Sequence, residues 1–296
     1  MSSEKPVAER ILDAIHVDEV GLETGRVGDF ALKTVYHPIF LREGRDAATP
    51  WGVEGRTEIY LEGNLYPEEA FRAVTDREDE TFVAALRGAL PMRNYLNLGI
   101  DGLHAVVGYE APVYRELDTA VSCIDVMVQA IADVWVDPSL VFYRLGGEVR
   151  EDLLPGVAGE LKFRGIQTAL ADFGTEQSSI TRLDVLGSRL VKLDSAMFAR
   201  LADVPIAVRL MTSIVERLQR DGRHVLVTGI ETAEHLRVAV DMGANLLEGS
   251  LLRPARSAGV LFDMTPVNLA ALLSGSENVV RFVSTARGYR DVPQQR

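Results

Sequence analysis

The sequence predicts an α/β fold, a (β/α)8 TIM-like barrel whose first strand is antiparallel and whose two ends carry helical extensions. Three observations predict it. Apolar, β-rich runs alternate with segments of helical periodicity. There are eight such runs, the number that closes this kind of barrel. The chain has 296 residues, enough for one barrel with appendages.

In chain order, the expected strands are Leu32–Phe40, Gly52–Leu61, Tyr95–Ile100, Leu140–Leu145, Thr168–Phe173, Arg189–Asp194, His224–Ile230 and Ala244–Ser250. The first two are joined by "REGRDAATP". That segment is too short and polar for a crossover helix, so this pair is expected to be antiparallel. From the third strand onward, each is followed by a helix-like stretch. In "VPIAVRLMTSIVERLQRDG", Ile206, Leu210, Met211, Ile214, Val215 and Leu218 form one apolar stripe, and Gly222 suits the position just past the helix end. Residues 1–28 read as an N-terminal helical extension, 29–258 as the barrel and 259–296 as a C-terminal helical appendage. Thr265 and Pro266 are the expected cap and first residue of that appendage.

The net charge is -12 and the pI near 5.0. An acidic chain is a poor partner for a nucleic-acid polymer or an anionic membrane surface. No apolar run reaches the roughly 18 residues of a membrane span, and the N-terminus lacks the apolar core of a signal peptide. The expectation is a cytoplasmic protein. Cys123, the sole cysteine, sits in an apolar helical run and reads as core; a thiolate zinc site and an internal disulfide are excluded.

In barrels of this kind, functional groups lie at the C-terminal strand ends. "ALADFGTEQSSI" places Asp172 there, "LVKLD" Lys192 and Asp194, "VTGIET" Glu231, "YLNLGI" Asn97 and "GVEGRTEI" Glu54. Singly, each reads equally well as a cap or a solvated loop residue. Together, carboxylates and an amide from several strands would converge on one mouth.

The ordered series "VYHPIF", "GVEGR", "NLG", "ALADFGTEQSSI", "LVKLD", "VTGIET" and "LLEGSLLRPA" resembles the EAL domain, the bacterial cyclic di-GMP phosphodiesterase family, over about Ala31 to Ala255. The resemblance is most specific from Ala169 to Ala255. It implies an EAL-type barrel with two divalent metals, Mg or Mn, at its mouth. They activate a water for phosphodiester hydrolysis, the cations stabilising the attacking and leaving oxygens. By resemblance, Glu54, Asn97, Asp172 and Asp194 are retained metal-ligand positions, and Lys192 and Glu231 are retained catalytic positions.

Other positions depart from the family. Gly146 falls near the fourth-strand Glu, with Glu148 off register. Ala171 replaces the first Asp of Asp-Asp-Phe-Gly, Thr228 the first Glu of Glu-Gly-Val-Glu, and Glu248 the Gln of the last strand. Glu58 stands where the family has an Arg two places past its signature, and would repel a phosphodiester. Glu176 and Gln177 replace a usual Gly-Tyr. With three acidic positions gone, the resemblance implies a degenerate member without hydrolysis and without a required cofactor. It would act as a regulatory or protein-interaction module with a protein partner, and a homodimer is left open. The alternatives are a receptor that binds cyclic di-GMP without cleaving it, and a residual phosphodiesterase using one Mg or Mn at Glu54, Asn97, Asp172 and Asp194. A Schiff-base role for Lys192 is disfavoured, because neighbouring carboxylates keep it protonated.

Two further expectations follow from the residues. Glu54, Arg56 and Glu58 alternate on one strand face, so Arg56 is expected between two carboxylates and, with Lys192, to supply the charge that metals supply in the family. The terminal segments "AERILDAI" and "SENVVRFVSTA" are candidates for an apolar interaction surface.

Overall fold

The computed structural model describes residues 6–75, 80–175 and 180–274. Eight strands close a barrel: β1 (Phe30–Glu43), β2 (Ala47–Leu61), β3 (His104–Val107), β4 (Val141–Leu145), β5 (Gln167–Phe173), β6 (Leu190–Leu193), β7 (His224–Val227) and β8 (Leu246–Glu248). β1 is antiparallel to both of its neighbours, β2 and β8. The remaining strands run parallel around the barrel. The short polar link between β1 and β2 explains the antiparallel pair, since a parallel pair needs a crossover of a dozen residues or more.

Helices pack outside the strands: α1 (Val7–Asp13), α2 (Glu68–Val74), α3 (Glu80–Arg93), α4 (Leu117–Asp133), α5 (Leu154–Phe163), α6 (Ile180–Leu186), α7 (Ser195–Ala202), α8 (Pro205–Arg220), α9 (Ala233–Asp241) and α10 (Leu269–Leu273). The main core lies between these helices and the strands, and Cys123 of α4 is fully buried in it. A second, smaller core fills the barrel: Ile39, Val106, Phe142, Ala169, Leu190, Leu226 and Leu246, flanked by Trp51. Trp51 stacks on His104 at 4.0 Å between ring centres and closes the N-terminal end of the strands. α8 ends as its sequence predicts, with Gly222 at φ +77. Its stripe divides, however. Val215 and Leu218 are buried, whereas Ile206, Leu210 and Ile214 face outward.

Four expectations are corrected. The third strand is His104–Val107. Tyr95–Leu98 is instead a turn of 3-10 helix in which Tyr95 and Leu98, three apart, are both buried; that spacing is helical. The N-terminal extension is only partly helical, for α1 is followed by a hairpin, Ile15–Val17 with Glu23–Val27, whose second strand pairs with β1. α10 begins at Leu269 with Asn268 as its cap, its side chain accepting from the Ala271 N–H at 2.9 Å, and not at Thr265 and Pro266. "AERILDAI" packs inward, with Ile11 buried and the Arg10 guanidinium 4.4 Å from the centre of the Phe82 ring. "SENVVRFVSTA" lies outside the described residues, as do Glu176 and Gln177.

Candidate functional site at the barrel mouth

Strand geometry builds the site. Side chains two apart share a face, so each strand that sends one residue into the inner core sends another one level higher, toward the mouth. The inner-core residues Val106, Phe142, Ala169, Leu190, Leu226 and Leu246 are followed by Gly108, Arg144, Ala171, Lys192, Thr228 and Glu248. β1 runs the opposite way, so His37 stands above Ile39. Its register partner is Glu54, which completes the ring of eight from β2. Arg56 adds a further side chain at the rim.

Glu54 is the centre of this ring, with only 4% of its side chain exposed. Lys192 Nζ donates to both of its carboxylate oxygens, at 2.7 and 2.5 Å. Arg56 Nη2 donates to Oε2 at 2.8 Å, and Arg144 Nε stands 3.8 Å from Oε1. Burial opposes ionisation of Glu54, but Lys192, Arg56 and Arg144 outweigh it and hold the carboxyl well below its usual range. Glu248 behaves oppositely. Burial, and then the Glu54 charge, push it up to about 8, although Arg56 Nη2 lies 3.3 Å from its Oε1. Its other oxygen is buried without a hydrogen-bond partner in the protein, as suits a carboxylic acid kept neutral. His37 Nδ1 is 3.8 Å from Glu248; burial and the Arg56 charge push this histidine down to about 4. Above the ring is a cavity of about 240 Å³, lined by Glu54, Arg56, Arg144 and Lys192 together with Arg87 and Glu110 from the surrounding segments.

The other expected site residues fall elsewhere. Asn97 lies in the 3-10 turn and donates to the Gly21 carbonyl and to Asn94 Oδ1, at 3.2 and 3.1 Å, tying down the N-terminal segment. Asp194 is the cap of α7, accepting from the Met197 N–H at 2.6 Å. Asp172 sits at an irregularity of β5, where the register with β6 slips between Leu170 and Phe173. Its φ is +55, and its carboxylate approaches Gly146. Glu148 turns back to accept the Gly146 N–H at 3.0 Å. Glu231 is exposed just before the Thr232 cap of α9. Glu58 accepts from the Tyr60 hydroxyl at 2.9 Å, so Arg56 bridges Glu54 to Glu248 and not to Glu58. Ala171 and Thr228 are buried. Ser178 and Ser179 lie outside the described residues.

Arg144 is the residue that sequence reasoning missed. The signal was present in "VFYRL", where a cation stands two residues past Phe142 in an otherwise apolar strand, in phase with the inner core.

The family model of the EAL domain matches residues 129–255. No curated protein matches the chain. Among solved structures, the chain is similar to the Klebsiella pneumoniae BlrP1 manganese/cy-diGMP complex at pH 6, with a TM-score of 0.66 and 18% identity over 80% of this chain and 59% of that one. The chain thus spans under two thirds of that relative. A standalone EAL protein of Vibrio cholerae, in its c-di-GMP bound form, gives 0.64 and 15% identity over 81% of this chain and 98% of that one. The FimX EAL domain of Pseudomonas aeruginosa bound to c-di-GMP gives 0.61 and 14% over 79% and 94%. At these identities the structures establish the fold, and the family model matches the second half of the barrel. Residues 129–255 are thus similar in sequence to the EAL domain, and the barrel as a whole has the fold of the EAL structures it resembles.

Proposed function

We propose that this protein is a catalytically degenerate EAL barrel that acts through interaction with a protein partner, without hydrolysing cyclic di-GMP. One observation supports the reading: the Glu54 carboxylate, which the resemblance assigns to a metal, is already engaged by Lys192 and Arg56, both bonded to it. Two divalent metals need several oxygen ligands. Here Asp194 is committed to a helix cap and Asn97 to the N-terminal segment. Among the described residues, no three His, Cys, Asp or Glu side chains could together hold a metal ion. The donor set therefore does not fit the pair of cations that the family implies, and no hydrolytic step is derived through them.

The second reading is a receptor that binds cyclic di-GMP without cleaving it. What favours it is that the solved neighbours include c-di-GMP complexes. Calorimetry with cyclic di-GMP, with and without Mn2+, run beside a hydrolysis assay, separates the possibilities. The degenerate reading expects no turnover above background. Metal-dependent turnover that disappears in Glu54→Ala would sink it, and saturable binding without turnover would select the receptor.

A further inference from the structure

The mouth holds one cation whose hydrogen-bonding fork its own carboxylates leave open. Arg56, Arg144 and Lys192 surround Glu54, with Glu248 behind, and the charges of Glu148 and Asp172 also act on Arg144. Arg87 lines the same cavity, but its charge is spent on Glu68 and Glu110. Arg144 differs: burial opposes its charge, but Glu54, Glu148 and Asp172 raise its pKa through their charges, without a hydrogen bond to its guanidinium among the described residues. Its one ion pair among the described residues is the 3.8 Å approach of Nε to Glu54. The two terminal nitrogens of its guanidinium, a planar fork matched to carboxylate and phosphate oxygens, bond to nothing among the described residues. A quarter of the side chain remains exposed, on the wall of the cavity.

The backbone keeps that wall open. Gly108 stands beside Arg144, and a Cβ there would come within 2.5 Å of the Arg144 carbonyl oxygen. A side chain therefore cannot grow from Gly108 to cover the guanidinium. The cavity, about 240 Å³, is smaller than the roughly 300–1,000 Å³ of pockets that take drug-sized ligands. The cavity size and the open guanidinium fork thus select the same kind of guest.

We propose that the barrel mouth binds a small oxyanion, a phosphate or a short carboxylate, seated on the Arg144 guanidinium beside Lys192. This rests on the reading that the mouth no longer takes metal cations, and it exchanges their ligand class for the opposite sign.

The test is calorimetry on the full chain at fixed ionic strength, with inorganic phosphate in one arm and succinate in another. Saturable binding of one of them at a single site is expected, weakened at least about tenfold in Arg144→Met, the change expected from losing one charge-assisted hydrogen bond. Arg144→Lys keeps the charge and loses the fork, so it should bind more weakly than the wild type, and it decides the matter if the Met variant does not fold. No saturable heat from either anion, or equal affinity in the wild type and both variants (an adventitious ion only), would overturn the proposal. A third arm with Mn2+ keeps the two readings apart. Mn2+ binding with cyclic di-GMP turnover defeats the degenerate reading. Absence of Mn2+ binding together with absence of anion binding defeats this inference alone.

Discussion

Lys192 and Arg56 both neutralise Glu54, but their removal should cost different amounts. The Lys192 side chain is 12% exposed and the Arg56 side chain 46%. Water can replace Arg56 in part, whereas loss of Lys192 leaves a buried carboxylate short of its closest partner. Urea denaturation should show a loss of about 3 kcal/mol for Lys192→Met and about 1 kcal/mol for Arg56→Met. Adding Glu54→Gln to the Lys192 variant should recover part of the loss; the reverse ranking of the two single variants would contradict the ring geometry. Glu248 gives the mouth a pH dependence. Its folded-state pKa is raised to about 8. Between the ordinary carboxylate range and about 8, the folded protein holds a proton that the unfolded chain has released, so this group's contribution to stability falls as pH rises through that window. Glu54 works in the other direction, its stabilisation being lost as pH drops below the ordinary carboxylate range. Glu248→Gln removes the first effect, and relative to it the wild type should lose about 2 kcal/mol or more between pH 5 and pH 8. A constant difference across that range would mean that Glu248 is ionised in the folded state.

Among the elements, the legible ones were those whose pattern outran their noise. β1 and β2 are long alternating runs, and the polar link between them shows that they turn back on each other. α8 announced its Gly222 terminus, whereas only part of its apolar stripe is buried. The third strand was misread because "YLNLGI" imitates an apolar strand, while the true strand "HAVV" is four residues long and bounded by glycine. That error placed Asn97 at the mouth, where the structure does not put it, and hid the in-phase position Gly108. The β5 irregularity is invisible in sequence, since a positive φ at Asp172 comes from its surroundings and not from its residue type. Asp194 illustrates how one residue supports two readings until the backbone is known. As a cap of α7 it should tolerate Ser, whereas Asp194→Ala should cost about 1 kcal/mol. Thermal unfolding of the two variants distinguishes this from a ligand role, in which Ser and Ala would be equally harmful to metal affinity and equally neutral for stability without metal.

At the scale of the molecule, charge is distributed against the trend of its composition. The chain carries a net charge of -12, yet its barrel opening concentrates cations at the level where the family implies metal ions. The resemblance implied acids absent at Gly146, Ala171 and Thr228, each a local letter of the sequence. It could not disclose Arg144 as a member of the same ring, because that depends on eight strands agreeing in phase. The described helices include none long and apolar enough to cross a membrane. The antiparallel first strand also governs how such a chain assembles. The turn between β1 and β2 closes a loop of three residues between Glu43 and Ala47, so that hairpin can form from local sequence alone. The opposite edge of β1 must wait for β8, about 200 residues further along, and their ladder is short, Leu246–Glu248 against Ile39–Leu41. Non-local pairing of this kind pays its closure entropy before it gains contacts. Of all the joints around the barrel, the β1–β8 seam is therefore the one whose closure spans the most chain, and Glu248, the carboxyl that burial pushes up to about 8, sits directly upon it.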